Sequence, residues 1–175
     1  MRPCRHATPQ EIGLEVNFDQ RVHEKAMNPD DATDADEISR LTEAERAALE
    51  IRWYEGKMLH FVELLLAFVG RHRTEILHGA GGAVEPAALL MATKRFILLR
   101  GSVHMPSELT DQKLEMENEC WYRGQEGQHD RTSIQVGWAQ RHGKPWRQWR
   151  IREYLFVVDC CAERIVGILL GSAGG

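Results

Sequence analysis

From Ala44 onward, apolar side chains recur at alternating steps of three and four: Ala44, Ala47, Ile51, Tyr54, Met58, Phe61, Leu65 and Phe68. At 3.6 residues per turn all eight fall on one stripe, which is the pattern of an amphipathic helix. Leu59, Val62, Leu66 and Val69 widen the stripe in its second half, so that half should be buried on more than one side. Thr42 stands three residues before Glu45, the spacing of a capping box. The pattern predicts one helix from about Thr42 to His78, bent at Gly56 or Gly70.

Four further helices follow from the same kind of evidence. Pro86 suits the first turn of a second helix, and Gly101 suits a left-handed cap at its end. Its apolar residues, from Leu89 to Leu99, nearly encircle it, which predicts a central position; the alternative of a short strand at Phe96–Leu99 rests on four residues only. Ser107 is expected to cap a third helix, with Leu109, Leu114, Met116 and Trp121 facing inward and Gly124 past its end. Asp130 is expected to cap a fourth, which Gly143 stops after His142. Pro145 would then open a fifth that continues to about Leu170, with Ile151, Leu155, Val158, Ala162, Ile165 and Leu169 at helical spacing. Long helices joined at Gly and Pro predict an all-α fold, a small bundle of about five helices.

Charge divides the chain. Between Glu11 and Glu50 there are twelve acids against four bases, whereas 131–152 holds six bases and no acid. Residues 1–40 combine the acids with Pro3, Pro9 and Pro29 and too few apolar residues to bury a core, so an acidic, disordered tail is expected there. The helical domain is expected over 41–172, with a glycine-rich joint near 79–83. Residues 1–24 contain no apolar segment of the secretory kind, and four cysteines in 175 residues do not form a disulfide framework. These two features predict a cytoplasmic chain. The apolar run Leu64–Gly70 is far too short to cross a membrane, so no membrane partner is expected.

Motifs for metals and nucleotides are weak. Glu75–His78 and Glu126–His129 have the Glu-x-x-His spacing of helical di-metal sites, but chance alone supplies about one such pair in a chain of this composition. Cys160 and Cys161 are adjacent, so their side chains diverge by about 100° on a helix, and there is no Cys-x-x-Cys. Phosphate-binding glycine loops are absent. No cofactor is expected.

The dense feature is an aromatic–basic block. Four of the five tryptophans fall between 121 and 149. With their basic neighbours they make the candidate binding set: Trp121, Arg123, Arg131, Trp138, Arg141, Trp146, Arg147, Trp149 and Arg150. Arg can stack on indole within a fold, Trp and Arg anchor protein partners, or Arg takes phosphates while aromatics stack on bases. An isoelectric point near 6.1 disfavours nucleic acid, since many dedicated binders exceed about 9. Glu115 and Glu119 are expected to brace the block through ion pairs.

The first functional reading is therefore an interaction or accessory protein that presents this surface to a protein partner, with self-association open. The second, from a different class, is a metal- or cofactor-dependent enzyme inside the bundle, drawing on His60, Glu63, Glu115, Glu119 and His142.

Overall fold

The computed structural model describes residues 37–171. Among them are one helical turn at 37–39 and seven helices, with no strand. The helices are α1 (Glu43–Tyr54), α2 (Leu59–Arg71), α3 (Arg73–Gly79), α4 (Pro86–Arg100), α5 (Met105–Gln125), α6 (Arg131–Cys160) and α7 (Ala162–Leu170). The fold is all-α, but the expected count of about five helices is wrong. None of the helices is long and apolar enough to cross a membrane. The expected tail lies outside the described residues except for its last four. Of these, Ile38 packs against the core, and its carbonyl accepts a hydrogen bond from Arg152 Nε at 2.7 Å.

The expected first helix is three helices. Gly56 takes φ +70°, a left-handed conformation that costs a residue with a Cβ about 1–2 kcal/mol. The chain leaves α1 there and re-enters helix with a new phase. The eight-residue stripe therefore splits. Met58, Phe61, Leu65 and Phe68 are buried, whereas Ala44, Ala47, Ile51 and Tyr54 face outward and α1 turns Leu49 inward instead. The second break falls at His72 (φ −107°, ψ 22°) rather than at Gly70. The Thr42–Glu45 capping box forms as the spacing predicts.

At the other end the error reverses. Gly143 and Pro145 do not divide two helices; α6 runs unbroken through both for 30 residues, about 45 Å at 1.5 Å per residue. Pro145 offers no N–H to the carbonyl of Arg141, yet the helix continues because packing on both sides of the proline outweighs local propensity. Ile134 and Trp138 are buried before it and 153–158 after it. The real stop is Cys161, with φ −109°. The expected stripe crosses that break, so Ile151, Leu155, Val158, Ile165 and Leu169 are all buried.

One core joins α2, α4, α7 and the second half of α6, with Leu65, Val69, Leu89, Ile97, Val157, Val158, Ile165 and Leu169 fully buried. Helix α4 begins with Pro86 and ends at Gly101, as expected. It is less enclosed than its composition suggests, because Met91 and Leu99 are exposed. The expected inward face of α5 is also partly wrong: Leu109, Leu114 and Trp121 are exposed. Among the described residues, no buried member of the main core lies between Val103 and Ile151. Helix α5 and the first half of α6 thus form an antiparallel hairpin beyond the core, here called the arm.

Replacing the exposed Pro145 by Ala should restore the missing backbone hydrogen bond. The expected outcome is a gain of up to about 3 kcal/mol, seen as a rise of several degrees in the thermal midpoint. A fall in the midpoint would show that the proline is needed for the path of α6.

Candidate functional site

The aromatic–basic block divides between arm and core, and the division begins with how the arm is mounted. At its base the α5 N-cap is His104, not Ser107: His104 Nδ1 accepts from the Ser107 amide at 3.2 Å. The buried Glu108 carboxylate accepts from Ser102 Oγ at 2.8 Å and from the amides of Val103 and His104, which locks the α4–α5 turn. At the far end Asp130 caps α6, as the sequence predicts. The hydroxyl and amide of Ser133 donate to Asp130 and hold its carboxyl below the usual range.

The seam between the two arm helices is thin. Cys120, Ile134 and Trp138 are its buried side chains. Arg123 stays on α5, donating to Glu119 at 2.8 Å and Glu126 at 3.2 Å, and Arg141 reaches across from α6 to within 4.0 Å of Glu119. A shallow recess of about 240 Å³ lies beside these groups, lined by Arg123, Gln128, Ser133, Ile134 and Arg141.

Near the end of the arm, Trp121 and Tyr122 are each 62% exposed. Their rings meet edge to face, 5.1 Å apart at 81°. Arg131, Arg141 and Arg147 are exposed on α6, and neither Arg131 nor Arg147 has an ion-pair partner among the described residues. These five side chains are the solvent-facing portion of the block.

The remainder is structural in its contacts. Trp138 is buried in the seam, and Trp149 packs half-buried against the core. Arg150 has a side chain only 13% exposed, paired with Asp111 at 2.8 Å and Glu153 at 3.0 Å. The Glu153 contact is an ion pair without hydrogen-bond geometry. The Arg150 guanidinium also lies 4.8 Å from the Phe61 ring and 4.6 Å from the half-buried Trp146. Glu153, almost wholly buried, takes Arg52 of α1 as well. Beside this cluster Tyr154 is 1% exposed with no partner for its hydroxyl among the described residues. Burial, then the nearby Glu108 carboxylate, raises its pKa.

Of the braces the sequence predicts, Glu119 does pair with Arg123 and Arg141, and Arg150 does lie over an indole, that of Trp146, whereas Glu115 pairs with no described residue and the acids on Arg150 are Asp111 and Glu153. Asp111 lies one turn earlier on α5 than Glu115, and Glu153 lies three residues along α6 from Arg150. The second spacing is legible in the sequence as an i,i+3 pair.

The groups named for an internal metal site are dispersed. His60, Glu63, Glu115 and His142 are exposed, and Glu119 is engaged by Arg123. Glu75 accepts from His72, while His129 sits exposed in the α5–α6 turn. Among the described residues no three His, Cys, Asp or Glu side chains converge. Loss of solvent pushes the Cys160 thiol up to about 11 and raises that of Cys161, so neither is an activated thiolate at neutral pH. Comparison with protein families, curated proteins and solved structures finds no match.

Arg150 and Arg147 separate bracing from exposure. Arg150→Gln removes one of the two cations on Glu153 and should cost about 1–3 kcal/mol, less than the full penalty for breaking a buried pair because Arg52 stays. Arg147→Gln should change stability by less than about 0.5 kcal/mol, as most exposed positions do. Denaturant titration of the two variants checks this; equal effects would refute the division.

Proposed function

We propose that this chain is an interaction module: the core holds the α5–α6 arm out, and the arm binds a protein partner through Trp121, Tyr122 and the exposed arginines of α6. One observation carries this reading. The arm lies beyond the main core and is closed by few buried side chains, yet it exposes a tryptophan and a tyrosine in contact near its end. Soluble surfaces rarely leave contiguous large aromatics in water without use, and Trp, Tyr and Arg are the side chains that dominate protein interfaces.

The electrostatics favour protein over nucleic acid. Glu115, Glu117, Glu119 and Glu126 share α5 or its end with the aromatic pair, so a phosphate backbone approaching Trp121 would meet carboxylates. Such a mixed-sign surface suits a polypeptide with complementary charge. The chain's unpaired thiols at Cys120, Cys160 and Cys161 suit the cytoplasmic setting expected from its sequence.

A photo-crosslinking side chain placed at Trp121, compared with one at the exposed Tyr54 of α1, tests the reading in cells of the native host. Protein adducts are expected from position 121 and not from position 54. Equal adducts at both positions, or adducts to nucleic acid alone, would contradict it.

A further inference from the structure

Helices α1 and α6 meet where the described chain begins. Ile38 packs against the core, and its carbonyl accepts from Arg152 Nε at 2.7 Å. Glu45, in the first turn of α1, reaches the same arginine at 3.3 Å. Glu37 and the acids before it are therefore tethered at this junction. They form a run of one sign: Asp30, Asp31, Asp34, Asp36 and Glu37, with no base between Lys25 and Arg40. Glu37 is exposed and has no ion-pair partner among the described residues.

The two helices at the junction differ in charge. Helix α1 presents Glu43 and Glu50 to solvent against Arg46, and its Arg52 is taken by Glu153, so it repels an acidic segment. Helix α6 holds six bases and no acid between 131 and 152. Two of the six are engaged at home, Arg150 by Asp111 and Glu153, and Arg152 by Glu45. Arg141, Lys144 and Arg147 succeed one another at steps of three, and all are exposed. Such steps keep them on one face of the helix, about 120° wide. Lys144 and Arg147 have no ion-pair partner among the described residues, and Arg141 is held only loosely, 4.0 Å from Glu119.

The distances are short. Arg147 stands five residues before Arg152 and Arg141 eleven, about 8 Å and 16 Å along the helix. Asp34 is four residues from Ile38 and Asp30 eight, which gives a reach of about 13 Å and 26 Å of extended chain. A tether of this length holds the acids at a local concentration in the millimolar range. Surface ion pairs are individually weak, and that concentration lets several of them form together.

We infer that the acidic segment 30–37 of this same chain lies on the Arg141–Lys144–Arg147 face of α6. The contact is within one molecule and does not depend on the arm's having a partner. A partner that takes Arg147 has to displace the segment first, so the segment regulates access to that side of the arm.

Zero-length carbodiimide crosslinking of the full chain tests this, because it joins a carboxylate directly to a lysine amine. Lys144 is the only lysine of α6, and Lys25 and Arg40 make 26–40 a single tryptic peptide that carries all five acids. In the fraction that keeps the 20.0 kDa monomer mass, that peptide should be joined to Lys144 several-fold more than to the exposed Lys113 of α5. The yield should fall in about 0.5 M salt, which screens exposed charges. Arg141→Gln with Arg147→Gln keeps the lysine and removes its two basic neighbours, so it should lower the yield several-fold; both positions are exposed, and circular dichroism checks the fold. A link to Lys144 no stronger than to Lys113, a link found only in crosslinked dimers, or a yield indifferent to salt or to the double substitution would overturn the inference.

Discussion

A buried carboxylate holds this molecule's parts in relation to one another. Glu153 sits about two turns before the end of α6 with almost no contact with solvent. A lone charge there would be expensive, so it must be paired. Its two cations come from different places: Arg52 from α1 and Arg150 from α6 itself. Arg150 then reaches Asp111 on α5. The chain Arg52–Glu153–Arg150–Asp111 ties the first helix and the base of the arm to the core. Apolar packing is thin at both attachments: α1 buries Leu49 and packs a half-buried Trp53 against the core, and the arm contributes no buried side chain to the main core. Ion pairs therefore set orientation here, while dispersion and burial in α2, α4, α6 and α7 supply the stability.

That division explains which features were legible in the sequence. Periodicity worked where a helix faces one core, as in Met58–Phe68 and in Ile151–Leu169. It failed at Ala44–Tyr54, because a stripe with perfect spacing says nothing about a left-handed glycine that resets the phase between its halves. Caps defined by a side chain and its own backbone, Thr42 and Asp130, were readable locally. The Gly143–Pro145 punctuation does not end the helix, because packing holds it on both sides, at the buried Ile134 and Trp138 before it and at the core after it.

The aromatic–basic block shows the same limit at the level of function. Composition marked 121–152 as unusual but could not sort its members. In three dimensions Trp138 and the Arg150 side chain are enclosed and Trp149 is half-buried, whereas Trp121, Arg131 and Arg147 are exposed. Local sequence is nearly silent on this: Arg147 and Arg150 are one turn apart with similar neighbours, and the difference comes from Asp111 and Phe61 on other helices. Leu109, Leu114 and Trp121, expected to face inward with Met116, face solvent, because α5 turns its other side, with Glu119, toward α6.

The central claim is that the arm is a separate element oriented by the Glu153 chain. Native-state hydrogen exchange of the wild type and of Glu153→Gln measures this directly, since it reports local opening segment by segment. Amides of 105–147 should exchange faster than those of α2 and of 151–158 in the wild type. In the variant, protection should fall further along α1 and the arm while α2 keeps its protection relative to them. Uniform protection of arm and core, or a loss spread evenly over the whole chain on substitution, would contradict the account.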